Sequence, residues 1–129
     1  FISSGSTIIP NWEAHDTPSN FMPKLLAGIN VNRFYLPFRN DKPETLAILR
    51  FIPNGREVVL GLMDAHSPIP DDAGAIAETV HEAQKHINPA LLAISPRTGF
   101  KLSEFAIRGL TYEDQWQKLT RLADIAAAL

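Results

Sequence analysis

The sequence predicts an α/β fold in which four strands alternate with four helices. Short apolar runs recur along the chain, and residues with helical periodicity fill the intervals between them. Each helical segment also carries its own start signal. Strands that alternate with helices pair in parallel through right-handed crossovers. We therefore expect a parallel sheet that is covered by helices.

The four predicted strands are short apolar runs. They lie at 6–9, 33–36, 58–63 and 91–94. Pro10 and Pro37 follow the first two runs and end them. The third run is apolar almost throughout, which is typical of a strand that is buried on both faces.

The first two predicted helices have a proline near their start. Thr17 and Pro18 place a capping side chain before a proline at the first helical position, and Gly28 marks the end of this helix. Asp41 and Pro43 begin a short second helix. Both segments therefore carry the start signals of helices.

The last two predicted helices begin with acidic or hydroxyl side chains. Asp71 and Asp72 begin the third helix, and Thr111 with Asp114 forms a capping-box pattern before the fourth. Apolar residues recur every three or four positions in the third helix, at Ile76, Val80, Ala83 and Ile87. The apolar residues that we assign to the inner face of the fourth helix are Trp116, Leu119, Leu122, Ala126 and Leu129.

Composition excludes several classes of protein. The chain has 129 residues, of which 45% are hydrophobic and 20% charged, and its net charge is −2. It lacks the basic excess of a nucleic-acid binder, and no apolar run approaches the roughly 20 residues that span a bilayer. It contains no cysteine, which excludes disulfides and zinc–thiolate sites within the chain. The first residue is Phe and no basic start of a secretion signal follows, so we expect a processed chain or a fragment of a longer cytoplasmic protein.

Two folds fit four strand–helix units of this length. One is a flavodoxin-like sheet, and the other is half of a (β/α)8 barrel. A full barrel needs about 250 residues, and four units in 129 residues would be half of one. Length alone does not choose between the two.

Candidate functional residues follow the predicted strands, because sites in both folds collect at the carboxyl ends of strands. Asp64 and His66 follow the third strand, where a carboxylate can orient an imidazole for proton transfer. The alternative is that Asp64 caps a turn and His66 binds a backbone carbonyl. Arg39 and Arg97 follow other strands and could clamp a carboxylate or phosphate, although a salt bridge at the rim is the more common fate of such residues.

Several motifs resemble one known family. Segments 49–62, 61–68, 94–100 and 110–119 are similar, in order, to the cobalamin-independent methionine synthases and above all to their short, single-barrel members. The match covers residues 30–129 well and the first thirty poorly. The resemblance implies the C-terminal half of a (β/α)8 barrel, one domain over 1–129, whose partner is an N-terminal half-barrel in the same protein or in a separate chain. The resemblance is compatible with a homo-oligomer and implies no nucleic-acid or membrane partner.

The resemblance also implies a chemistry, which is methyl transfer from a folate to the thiol of homocysteine at a zinc ion held by His, Cys, Glu and Cys. The family's Pro-Asp-Cys-Gly turn corresponds to 96–99, which places Thr98 where a cysteine ligand stands. The glutamate ligand falls on Pro37, and the histidine–cysteine pair falls near Ile8 and Pro10. These side chains do not build a zinc site. We therefore expect no metal and no bound cofactor.

The family's Asp-x-His-Ser motif is kept, and its His serves there as a proton donor. We therefore expect catalytic roles for Asp64 and His66. The expected substrate-binding residues are Ser67, Arg39, Arg97 and Thr98. The main hypothesis is a divergent thiol methyl- or alkyltransferase related to methionine biosynthesis that lacks zinc. Two alternatives are a metal-free enzyme that uses Asp64 and His66 as an acid–base pair on a small anionic substrate, and a non-catalytic barrel subunit.

Overall fold

The protein forms a three-stranded parallel sheet with helices in a computed structural model that describes residues 21–39, 43–100 and 110–129. The strands are β1 (Arg33–Pro37), β2 (Glu57–Met63) and β3 (Leu92–Pro96), in that order across the sheet. The α-helices are α1 (Phe21–Gly28), α2 (Ala73–Ala83) and α3 (Tyr112–Ala128), and 3₁₀ helices span Pro43–Phe51 and Pro89–Leu91. The predicted strand 6–9, the cap at Thr17 and the start signal at Asp41 lie outside the described residues.

The parallel pairing expected from the strand–helix alternation is confirmed. Strands β1 and β2 pair from Arg33 with Glu57 to Pro37 with Gly61. Strands β2 and β3 pair in parallel from Val58 with Leu92 onward, and the register shifts between Gly61 and Met63. The carboxyl ends of all three strands therefore meet at one edge of the sheet.

Strand β2 lies in the core, as its apolar sequence predicts. Its residues 58–63 are all buried, and Leu60 and Leu62 are fully so. Leu46 and Leu49 of the 3₁₀ helix and Ile76 of α2 complete the fully buried centre. Because both faces of β2 are covered, this strand fixes the position of the residues that follow it.

The caps of α2 and α3 form as the sequence predicts. The Asp72 carboxylate accepts from the backbone N–H of Gly74 and Ala75, at 2.8 and 3.4 Å. Thr111 and Asp114 form a reciprocal capping box. The hydrogen bonds from the Thr111 hydroxyl and then from its N–H lower the pKa of Asp114. Since Asp72 caps α2 by itself, the neighbouring Asp71 is available for another contact.

The inner face of α3 differs from the prediction. The structure buries Leu122 as expected, but it also buries Ile125 and Lys118, whereas the Trp116 side chain is 69% exposed. Apolar periodicity misplaced this face because Lys118, a charged residue, occupies a buried position on it. No helix in the described part of the chain is long and apolar enough to cross a membrane.

Candidate functional site

The candidate site is the edge of the sheet where β1, β2 and β3 end. Strands approach each other closely there, and Gly61 permits the approach. A Cβ atom at position 61 would lie 3.0 Å from the Cα of Arg97 and 3.3 Å from the Cα of Pro37. Because both contacts are to backbone atoms, a larger residue would push the strand ends apart.

Arg97 joins the ends of all three strands. Its backbone N–H donates to the carbonyl of Met63 at 2.7 Å. Its Nε donates to the carbonyl of Phe38 at 3.0 Å, and its Nη2 donates to the carbonyl of Leu62 at 3.3 Å. Arg97, for which we predict anion binding, therefore uses its N–H, Nε and Nη2 on backbone carbonyls at this edge. Arg39, the other predicted arginine, is exposed after β1 at the same edge.

Asp64 and His66 form a tight turn after β2. The Asp64 Oδ1 accepts from the backbone N–H of His66 at 2.9 Å and lies 3.7 Å from its Nδ1. Both side chains are partly exposed, at 42% for Asp64 and 44% for His66. The carboxylate thus caps a turn and also lies beside the imidazole. The distance to Nδ1 is longer than a hydrogen bond.

Thr98 brings the loop after β3 to the same imidazole. Its Oγ1 lies 3.5 Å from the His66 Nε2 and also 3.4 Å from the carbonyl of Gly99, to which it can donate. Asp64 and Thr98 therefore face opposite nitrogens of one ring. Ser67 makes a local hydrogen bond, in which its Oγ accepts from the N–H of Ile69 at 3.2 Å.

Two residues of this region were missed by sequence reasoning. The Lys118 Nζ lies 2.7 Å from the Asp71 Oδ2 and 2.8 Å from the carbonyl of Ile69. The side chains of Lys118 and Asp71 are only 4% and 9% exposed. The Asp71 Oδ1 accepts from the backbone N–H of Asp64 at 2.8 Å. Asp71 offered a weak signal as a second Asp beside a capping Asp, but Lys118 offered none, because apolar periodicity places it outside the predicted inner face of α3.

Comparison with curated proteins gives three relatives, although no family model matches the chain. YxjH and YxjG, uncharacterized proteins of Bacillus subtilis strain 168, are 28% and 24% identical over 116 residues. Those residues are 89% of this chain and 30% of each relative. A methionine synthase of Pyrococcus horikoshii is 30% identical over 74 residues, which are 57% of this chain and 22% of that protein. The chain thus spans about 30% of the length of the curated relatives that it matches over most of its residues.

Two solved structures share the fold. A Listeria monocytogenes protein described as a vitamin-B12-independent methionine synthase aligns with a TM-score of 0.65 and 25% identity, over 83% of this chain and 30% of that one. A B12-independent methionine synthase from Shewanella sp. W3-18-1, solved in complex with selenomethionine, aligns with a TM-score of 0.62 and 23% identity, over 84% of this chain and 29% of that one. The chain resembles the cobalamin-independent methionine synthases. The resemblance that the sequence motifs indicated is confirmed.

The sequence resemblance assigns two of the four zinc-ligand positions of the methionine synthases to this edge of the sheet. Pro37, at one ligand position, has no donor atom in its side chain, and Thr98, at another, supplies a neutral hydroxyl that faces His66 and Gly99. The other two positions, near Ile8 and Pro10, lie outside the described residues. Within residues 21–39, 43–100 and 110–129 no three His, Asp or Glu side chains cluster as a metal site would need.

Proposed function

We propose that the protein is a divergent relative of the cobalamin-independent methionine synthases that transfers a methyl or other alkyl group to the thiol of a small molecule without zinc. One observation carries the proposal. The imidazole of His66 stands between the Asp64 carboxylate, 3.7 Å from Nδ1, and the Thr98 hydroxyl, 3.5 Å from Nε2. The residue at the position of a zinc-binding cysteine thus contacts the imidazole.

The chemistry follows from the loss of the metal. A thiol reacts as its thiolate, and zinc promotes the ionisation of a bound thiol. Without zinc, a base must take the proton, and imidazole is well suited to proton transfer near neutral pH. In our proposal His66 takes the proton of the thiol as the sulfur attacks the alkyl carbon.

The proton that His66 has taken is then passed to the leaving group. As the new carbon–sulfur bond forms, the bond between the alkyl carbon and the donor nitrogen breaks, and His66 returns the proton to that nitrogen. With an N-methyl folate as donor, which the resemblance suggests, a thiol and a methylamine become a thioether and an amine. No oxidant, reductant or metal is needed for this balance. Asp64 orients the imidazole, and Arg39 is the residue we propose to hold an anionic group of the substrate.

The chain in this proposal supplies the C-terminal half of a (β/α)8 barrel. Consecutive strands β1, β2 and β3 are neighbours in the sheet, as they are in a barrel. A flavodoxin-like sheet places the first strand between the second and third. If 6–9 is the first strand, β1 and β2 are the second and third, and their direct pairing supports the barrel. The remaining units would come from the same protein or from a partner chain, since the relatives are about three times as long as the match.

The test is thioether formation by the natural protein, with homocysteine and N5-methyltetrahydrofolate as probes and mass spectrometry as the readout. His66→Ala should lower turnover by about 10²–10⁴-fold, which is the typical contribution of a general acid or base. His81→Ala is the matched control, because His81 is exposed on α2, away from the strand ends. It should leave turnover unchanged.

Metal analysis of the same protein tests the second part of the proposal. We expect well under one zinc per chain and full turnover in chelator, because the positions of Pro37 and Thr98 lack zinc-binding side chains. Stoichiometric zinc whose removal abolishes turnover would contradict the proposal. If the natural protein forms no thioether and His66→Ala changes only its stability, the result favours the alternative of a non-catalytic barrel subunit.

A further inference from the structure

The buried ion pair between Asp71 and Lys118 lies outside the group of residues that would touch a substrate. Lys118 comes from α3, and Asp71 precedes the cap of α2, so the pair fastens the loop after β2 to the last helix. Burying an ammonium and a carboxylate is costly, and apolar residues of similar size often stabilise a fold equally well. Stability alone therefore does not explain why a charged pair occupies this place.

The pair is directly connected to the turn that carries His66. The Asp71 carboxylate binds Lys118 through Oδ2 at 2.7 Å and the backbone N–H of Asp64 through Oδ1 at 2.8 Å. Asp64 in turn accepts from the N–H of His66 at 2.9 Å. Three short hydrogen bonds thus run from the helix to the residue that bears the imidazole. The ammonium compensates the buried charge of the Asp71 carboxylate, and the carboxylate binds the N–H at the start of the turn.

We infer that Asp71 is a positioning residue, which holds the Asp64–His66 turn so that the imidazole faces Thr98, and that Lys118 compensates the charge of its buried carboxylate. The inference rests on the proposed function of His66. Arg121 supports the arrangement, since its Nε donates to the carbonyl of Asp71 at 3.0 Å, although its side chain is exposed. A displacement of about 1 Å at a reacting group can cost about 10²-fold in rate, so that a residue without substrate contact can govern turnover.

A matched pair of double variants tests this in the natural protein. Asp71→Leu with Lys118→Met replaces the ion pair by apolar side chains and leaves the N–H of Asp64 without its acceptor. Asp71→Asn with Lys118→Met also removes both charges but keeps an oxygen that can accept from Asp64. The two proteins differ at one position, in side chains of similar size. Should the leucine variant fail to fold, Asp71→Ala with Lys118→Met takes its place.

We expect the variant without the acceptor to lose about 10–10²-fold in kcat with little change in KM, and the variant with the acceptor to keep the wild-type kcat. Amide hydrogen exchange at Asp64 should accelerate in the first and not in the second, and the imidazole resonances of His66 should shift only in the first. A merely structural role would move stability in both and the His66 resonances in neither. Lys85→Met, in the exposed pair of Lys85 with Glu82, is the control for loss of a lysine charge.

Equal kcat in the two folded variants overturns the inference, and so does unchanged exchange at Asp64 in the variant without the acceptor. The failure of the proposed function has a different signature. If His66→Ala leaves turnover unchanged, the proposed function fails, and the exchange rate and the His66 resonances then decide the inference without any assay of activity.

Discussion

The parallel sheet has an amino edge, where its strands begin, and a carboxyl edge, where they end. The two edges carry similar polar contacts in different surroundings. At the amino edge, Arg33 pairs with Glu57 across the β1–β2 register, with side chains 51% and 47% exposed. At the carboxyl edge, Lys118 pairs with Asp71, with side chains 4% and 9% exposed. Exposed pairs are screened by water and contribute little, whereas breaking a buried pair leaves a charge without compensation. Burial, and not the number of contacts, decides what an edge contributes.

At the amino edge, hydrogen bonds change the ionisation of Arg33 without an effect on stability. The hydrogen bond to the Tyr35 hydroxyl, and then the one to Glu57, raise the pKa of Arg33 above its already high ordinary value. Arginine stays charged throughout the range in which proteins fold. The raised pKa therefore has no consequence for stability between acid and neutral pH.

The strongest test of the comparison is to break the buried pair. Lys118→Ala leaves the Asp71 carboxylate buried without its ammonium partner, and we expect the natural protein to lose about 3–5 kcal/mol in the free energy of unfolding. Urea denaturation followed by circular dichroism measures the loss. A loss below about 1 kcal/mol would show that water replaces Lys118 at the carboxylate, and the contrast between the edges would then not hold.

The close approach of the strands at the carboxyl edge gives the next largest effect. Gly61→Ala places a Cβ atom 3.0 Å from the backbone of Arg97, which cannot rotate away. We expect a loss of about 1–3 kcal/mol in unfolding free energy, as for other overpacked sites. Gly28→Ala is the matched control, since a Cβ there meets nothing within 4 Å. It should be neutral or slightly stabilising at the end of α1, and equal effects at the two glycines would contradict the prediction.

Much of this fold could be predicted from the sequence because its signals are local. The unbroken apolar run of β2, the Asp72 cap and the Thr111–Asp114 capping box each lie within a few residues of the element they define. Periodicity failed on α3, where Trp116 and Leu119 were assigned to the inner face that Lys118 in fact shares with Leu122. A lysine is normally predicted to be exposed, and the partner that buries Lys118 is Asp71, 47 positions earlier.

The sequence predicts candidate residues for the site but not the contacts between them. Asp64 and His66 follow a strand and match the Asp-x-His-Ser motif of the family, whereas Thr98 stands where the resemblance places a cysteine ligand. Thr98 reaches His66 from a loop 32 positions later, next to a register shift between Gly61 and Met63 and to the Arg97 hydrogen bonds to Phe38 and Leu62. Such contacts join distant parts of the chain, and spacing along a sequence does not encode them.

A smaller effect is expected at the exposed start of α3. Thr111→Ala removes the side chain that caps the helix and should cost about 1 kcal/mol, whereas Thr120→Ala, exposed in the interior of the same helix, should be neutral or slightly stabilising, because alanine has the higher helix propensity. Thermal melts of the two variants at neutral pH measure the difference. Equal melting temperatures would mean that the Thr111 cap at the start of α3 contributes nothing to stability.

The same capping box predicts a pH dependence. The folded protein lowers the pKa of Asp114, so the ionised carboxylate contributes stability above its unfolded pKa of about 3.9 and loses that contribution as the pH falls through the lower folded value. The difference in melting temperature between the natural protein and Asp114→Asn should therefore be full at neutral pH and shrink in acid. A difference that grows on acidification would contradict the sign of this shift.

The smallest effect should come from the amino edge. Glu57→Gln removes the charge opposite Arg33, but both side chains are about half exposed, at 47% and 51%, and water solvates the guanidinium that remains. The backbone N–H of Glu57 still donates to the carbonyl of Asn32 at 3.0 Å, because this bond does not involve the side chain. We expect no measurable change in the urea midpoint at 0.15 M salt, where the screening length is about 8 Å. A loss comparable to that of Lys118→Ala would mean that the amino edge is covered in the natural protein, by residues such as those of a completed barrel.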